Sequence, residues 1–401
     1  MKNNNIFKWF LYSTAIIDLI NGFVIDEIGV LPISLGQIYR IMFILFAGIL
    51  IVKYSNKQEK MFFSIITYYF IISALVRFYL NNNIKLVFDD IINLSKLLLI
   101  IMIIISGKIL IRKKEIKKRD LQKIIEFNGY VVIVTLIICK IFNLGNYAYL
   151  DGVGFKGYFY SNNEVSIVLS LIFIYKWEEI YKQIINKNRV KFSNFFILLL
   201  IISSAVIIGA KTVYLVFVIT LILSICRVLI KMDIYSLLKF IFALGIVAII
   251  FSIIGSLYNE EINAIIIKQK YHFENRSLLS FILSDRDILW KQLKDTFISG
   301  RETIIKVLLG FTPSFYNVEL DLHALYINYG IIGVSLIIIP TIKLLLSSKK
   351  KYIIIYPFII YISFSLTAGH VMFGAFAGTF FSIHCLSMIE DKINTNINES
   401  V

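Results

Sequence analysis

Charge is scarce in this chain. Charged residues make up 17% of its 401 positions, against 58% hydrophobic ones and a mean hydropathy of +0.80. That shortage excludes a soluble globular protein, because one core cannot hide so much apolar surface. Apolar runs near 20 residues recur from end to end, so lipid is the solvent for most of the chain. Cysteine is nearly absent as well. Cys139, Cys226 and Cys385 lie in apolar runs without CxxC spacing and read as buried packing residues. Only four prolines occur, and with the abundance of Ile, Lys and Asn they suit an AT-rich bacterial genome. The first apolar segment lacks a small-x-small cleavage site, so it reads as a retained helix and not as a removed signal peptide.

Other signatures are missing too. The sequence contains no P-loop, no dinucleotide-binding glycine pattern and no serine elbow. Energy for any reaction must then come from an activated substrate. Asp89 and Asp90 form the only adjacent Asp pair, and no His or Cys cluster accompanies them. They read as a solvated loop pair, and no metal or other cofactor is expected. No internal repeat is visible.

What is present is positive charge, +15 overall, from 41 Lys and Arg against 26 Asp and Glu. Most of it falls in short segments between apolar runs, which is the pattern of membrane topology and not of nucleic-acid binding. Twelve spans are predicted, near 6–25, 36–54, 61–80, 92–110, 127–143, 164–183, 194–209, 211–230, 236–258, 323–343, 352–368 and 371–389. The segments 53–60, 108–123, 176–191 and 343–351 are rich in Lys and Arg and read as inner loops. The segments 26–37, 81–96 and 144–163 carry few positive charges and read as outer loops. Both termini then come out cytoplasmic. Residues 259–322 form a far longer outer segment between the ninth and tenth spans of a single integral membrane domain, 1–401. Within it, "DRDILWKQLKDTF" sets Leu289, Leu293 and Phe297 on one face, with Asp287, Lys291, Lys294 and Asp295 mostly elsewhere. That spacing predicts an amphipathic helix at the membrane surface.

Five stretches with polar residues collect on the predicted outer side. In "GFKGYFYSNNEVSIVLSL" Lys156 stands between glycines, and Asn163 and Glu164 enter the sixth span. The stretch reads as a ligand loop, or as a turn and helix start with Asn162 or Asn163 as N-cap. Lys211 interrupts about thirty apolar positions where two spans meet, as an anion-binding cation or as a lysine that snorkels outward at a hairpin. Arg286 stands between Asp285 and Asp287. Its planar fork suits phosphate oxygens, and the alternative is a cap cluster with a neutralised arginine. His323, in "DLHALYINYG", is a candidate general base, since an ordinary imidazole is largely neutral at pH 7. A plain interfacial histidine is the other reading. His370 stands at the turn between the last two spans, as a turn residue or as a ligand for a hydroxyl or phosphate.

These stretches resemble the O-antigen polymerase and ligase family of bacterial membranes. "KGYFYSNNEVSIVLSL" is similar to R-x-x-G-x-F-x-N-P-N-E followed by an apolar helix. "DRDILWKQLKDTF" resembles the family's G-R-x-x-x-W segment, and "LHALYINYGIIGV" its H-N-x-Y-L…G-I-I-G. "AKTVYL" falls where S-R-x-x-x is frequent. The motifs cover roughly 150–340, and their order is more specific than any one of them. Lys156 and Lys211 replace arginine, Asn162 replaces proline and Ala324 replaces asparagine, so bidentate phosphate contacts at the two lysines become point charges.

The resemblance implies an all-α polytopic fold of the GT-C type in the bacterial cytoplasmic membrane. It implies a metal-independent, inverting glycosyltransferase that joins oligosaccharide repeat units carried on undecaprenyl pyrophosphate, for O-antigen or capsule. Lys156, Lys211 and Arg286 would hold pyrophosphate, Asn163, Glu164 and His370 would bind substrate, and His323 would be the base. Chain-length-regulator and flippase proteins are implied partners, and nucleic acid is not. A ligase of the same family is the alternative. A lipid-linked oligosaccharide flippase also fits twelve spans, but transporters tend to show repeats and broken helices, and the sequence signals neither.

Overall fold

The computed structural model describes residues 3–29, 31, 33–81, 84–148, 154–231, 234–283, 285–288, 290–291, 303–310, 320–346, 351–369 and 371–398. The chain is an all-α polytopic membrane protein, apart, among the described residues, from one two-stranded hairpin. Each predicted span falls on a helix. Among the described residues, seven helical segments are long and apolar enough to cross a membrane: Asn3–Glu27, Leu35–Tyr54, Lys57–Val76, Val87–Arg112, Lys118–Ile141, Ile234–Leu257 and Asp321–Ile339. Phe192–Ile208, Phe358–Thr367 and Ala375–Met388 are shorter apolar helices.

The chain divides into two compact units. The first comprises 1–17, 31–125 and 276–401; the second comprises 18–30 and 126–275. Helix α1 (Asn3–Glu27) and helix α5 (Lys118–Ile141) contribute to both.

The first unit also holds α2 (Leu35–Tyr54), α3 (Lys57–Asn81) and α4 (Ile84–Arg112). α4 is apolar on every side from Leu97 to Ile105 and is buried along almost all of that stretch, as an all-round apolar helix must be in a core. α2 packs on it, and so does the last helix of the chain, Ala375–Asn398. Gly107 and Gly378 make the second contact possible, because a side chain at either would overlap Leu386 or Ile100. Asp89 and Asp90 are not in a loop. They lie in the second turn of α4, and Asp90 is buried. Hydropathy put this helix start eight residues late because Lys85, Asp89 and Asp90 depress the average.

In the second unit α6 (Asn162–Ile185) is the central element. It packs against α7 (Phe192–Ile208), α8 (Lys211–Lys231) and α9 (Ile234–Leu257). Phe173 stacks on Phe217 at 3.9 Å, and Trp177 Nε1 donates to Ser224 Oγ at 2.7 Å. Near the other end of α6, buried Lys176 is paired with Glu126 and, at 3.2 Å, with Glu179. Cys139 and Cys385 are buried as expected, whereas Cys226 is exposed on α8.

Where described, the long segment 259–322 is helical. α9 runs almost directly into α10 (Asn259–Asn275), with only Tyr258 between them. Then follow α11 (Leu278–Leu283), a helical stretch within 286–291, and α12 (Thr303–Leu309). Leu289, Leu293 and Phe297, the predicted apolar face, lie outside the described residues. Asp287, expected in solvent, is buried.

The remaining helices are α13 (Asp321–Leu346), α14 (Lys351–Thr367) and α15 (Ala375–Asn398). α13 is broken at Gly330, with φ 59° and ψ −173°, although the sequence signals no broken helix. The backbone of α12 fills the break. A methyl on Gly330 would overlap the Leu308 carbonyl and stand 2.5 Å from the Leu309 nitrogen. From α3, the buried Tyr69 hydroxyl donates to the carbonyl of Tyr329, and lies 3.4 Å from that of Leu309. It thus replaces a helical donor lost at the break. Tyr69→Phe is expected to destabilise the protein by about 1–3 kcal/mol, read as a lower unfolding midpoint of the purified protein in detergent.

Candidate functional site

In the second unit, Lys156 is carried by a β-hairpin. Strand β1 (Asn146–Tyr147) pairs antiparallel with β2 (Phe155–Gly157). β2 packs on α6 and α7. Lys156 Nζ lies 3.2 Å from Asp26 Oδ2 and 3.4 Å from Oδ1, both side chains being mostly buried. The lysine is therefore already neutralised in part, which weakens it as an anion holder. The end of α1 approaches this hairpin closely: a side chain at Gly22 would overlap the Tyr158 carbonyl, and Phe23 meets the Tyr158 ring edge-on at 5.0 Å. Loss of solvent and the neighbouring Glu27 carboxylate push the Tyr158 phenol above its ordinary pKa, so it stays a neutral hydroxyl.

The N-cap of α6 is Ser161, not Asn162 or Asn163, and its side chain makes no cap hydrogen bond. Asn162 opens the helix with a buried Oδ1 that has no partner among the described residues. Asn163 and Glu164 follow in the first turn, Glu164 buried. A carboxylate there meets the positive end of the helix. α6 and α7 run in opposite directions, so the end of α7 lies at the end of the unit where α6 begins. There Gly209 and Ala210 form the turn, and Lys211, half-buried, opens α8. Tyr214 fastens the turn by donating to the Ala205 carbonyl at 3.1 Å. Lys156, Asn163, Glu164 and Lys211 thus share one end of the second unit.

Arg286 and His323 belong to the first unit. Arg286 is 8% exposed. Its Nη1 donates to the Thr367 carbonyl at the end of α14, at 3.1 Å, and lies 3.4 Å from the Leu283 carbonyl. Part of the guanidinium fork is therefore committed to backbone. Asp285 pairs with Arg276 at 3.3 Å, so the acidic neighbours do not simply neutralise Arg286. His323, in the first turn of α13, meets the Trp290 ring edge-on at 4.5 Å. Trp290, Leu283 and Val307 pack on a small core of Leu320 and Ile327. Two residues before His323, the buried Asp321 carboxylate accepts from Val371 N and Met372 N, each at 2.6 Å. The stretch 285–291, the start of α13 and the α14–α15 turn therefore converge. His370 stands in that turn by sequence but lies outside the described residues.

Comparison with protein-family models, curated proteins and solved structures finds no match to this chain.

Sequence reasoning missed Asp26 as the partner of Lys156, and Asp287 and Asp321 as buried acceptors beside Arg286 and His323. The sequence carries a faint signal for each, an acidic residue at a span end or beside a basic one, but the partners of Asp26 and Asp321 are distant in the chain. Histidine His384 is buried in α15, among Phe380 and the α4 contact, and was not singled out.

Proposed function

We propose that this chain is a membrane-embedded glycosyltransferase of the O-antigen polymerase type, GT-C-like with twelve spans. In this reading it joins oligosaccharide repeat units carried on undecaprenyl pyrophosphate at the outer face of a bacterial cytoplasmic membrane. The observation that carries the reading is the convergence on the α14–α15 turn of Arg286 and of Asp321, which stands two residues before His323 at the start of α13, with Trp290 joining His323 to the Arg286 stretch. Three motifs far apart in sequence meet there, as a shared site requires. In the reaction, an acceptor hydroxyl oxygen attacks the anomeric carbon of the donor, and its proton passes to His323. The bond from that carbon to the pyrophosphate oxygen breaks with inversion, and cations hold the departing charge. The motif resemblance assigns Lys156, Lys211 and Arg286 to that charge, and Asn163, Glu164 and His370 to the glycan. Arg286 serves with whatever of its fork the backbone leaves.

One observation favours a transporter instead, namely the break in α13 at Gly330. The break is occupied by α12 and answered by Tyr69, which makes it a packing joint within the first unit. Deletion of the chain followed by glycan analysis separates the readings. Single repeat units left on the carrier would support the polymerase. Full chains left on the carrier would indicate a ligase, and units trapped on the cytoplasmic side would indicate a flippase.

A further inference from the structure

Asp287 has no role in the reading above, yet it is an ionisable group that the fold buries and leaves half-satisfied. It is 7% exposed. Its Oδ2 accepts from Ser280 Oγ at 2.8 Å. Its Oδ1 is buried with no hydrogen-bond partner among the described residues. Burying a carboxylate oxygen without a donor is costly, and native structures rarely leave one so. Asp285, two residues earlier, has a cation 3.3 Å from its Oδ1, Arg276 Nε, although that oxygen makes no hydrogen bond among the described residues either, whereas no ion pair reaches Asp287 among them.

The surroundings narrow what the missing donor is. Trp290 lies one helical turn beyond Asp287, and its ring meets His323. His323 Nδ1 is likewise buried without a partner among the described residues. One unanswered polar atom thus belongs to the ring that meets the indole, and the other to a residue three positions before it in sequence. A phosphate brings only acceptors and like charge, so it cannot answer a carboxylate. A divalent cation needs several oxygen ligands, and among the described residues no three His, Cys, Asp or Glu gather to hold one. A saccharide ring brings hydroxyl donors on its rim and an apolar C–H face that fits an indole.

We propose that Asp287 receives a hydroxyl of the reacting saccharide through Oδ1, with Trp290 as the apolar wall of the same subsite beside His323. This inference rests on the glycosyltransferase reading and adds to it a sugar-selecting residue. It divides labour within the first unit: Asp287 and Trp290 hold the sugar, and Arg286 is turned toward the α14 end.

The test is Asp287→Asn in the full-length chain, with Asp285→Asn as control. Asparagine keeps the shape and an acceptor for Ser280 but removes the charge and half the acceptor capacity. Polymer is expected to fall roughly tenfold or more, the worth of one charged hydrogen bond, at normal protein levels. The unfolding midpoint in detergent is expected to stay the same or rise, because the free protein loses an unanswered buried charge. Asp285→Asn is expected to keep polymer. A lowered midpoint for Asp287→Asn would overturn the inference, since the carboxylate would then be serving the fold. Normal polymer from Asp287→Asn in a strain whose deletion abolishes polymer would overturn it alone. A deletion strain with unchanged glycans would overturn the polymerase reading itself, and this inference with it.

Discussion

Cells carrying His323→Ala in place of the native chain are expected to accumulate single carrier-linked repeat units and no long polymer, with the protein present in the membrane at normal levels. A general base contributes about 10²–10⁴-fold to a rate. Polymer length multiplies the defect, because every added unit requires the same step. His323 is suited to this separation of activity from folding. It is only half-buried, and its Nδ1 contributes no hydrogen bond that the fold would lose. Arg286→Ala is expected to abolish polymer as well, but with a second effect. Its guanidinium donates to the Thr367 carbonyl, so its loss also frees the end of α14 at a cost of about 1–3 kcal/mol. The unfolding midpoint should therefore fall for Arg286→Ala and hold for His323→Ala. Full-length polymer from both variants would remove the assignment of these residues to catalysis.

Gly330→Ala is expected to leave little folded protein. The backbone at this position, φ 59° and ψ −173°, lies in a region that residues with a side chain scarcely enter. Forcing one there costs on the order of 1–3 kcal/mol. The new methyl would also collide with the Leu308 and Leu309 backbone, which cannot swing aside as a side chain can. Against a total stability of roughly 5–15 kcal/mol, the sum is enough to unseat α12 from α13. Gly245→Ala in α9 is the contrasting case, because nothing lies within 4 Å of its added methyl. It should be neutral or slightly stabilising, as alanine favours helix. Membrane levels and detergent-extracted monodispersity of the two variants check the pair.

Hydropathy made the long apolar helices legible because it averages over some twenty positions, about the number that crosses a bilayer. It could not make the hairpin at Asn146–Tyr147 and Phe155–Gly157 legible, since two or three residues show no alternation. Asp26 looked like part of a sparsely charged outer loop because its partner, Lys156, is 130 residues away. Asp287 looked solvated because sequence shows its charge and not the Ser280 hydroxyl of α11 that it accepts from. Gly330 looked like one of several span glycines. Only the close approach of Leu308 shows why this one is left-handed. The candidate residues were readable by type, then, and partners such as Asp26 and the Thr367 carbonyl were not, because those contacts are long-range.

The first unit is built from both ends of the chain, and this bears on the order in which the protein is made. Tyr69 is synthesised 240 and 260 residues before the two carbonyls it reaches. At roughly 5–20 residues per second, its hydroxyl waits on the order of tens of seconds for them. The core contact of α4 with α15 waits longer still. Most of the second unit, 126–275, is one continuous stretch that leaves the ribosome in between. It can pack while the first unit is still half a fold, so the Arg286–His323 neighbourhood, which needs Thr367, Val371 and Met372, comes together only after the second unit has been made.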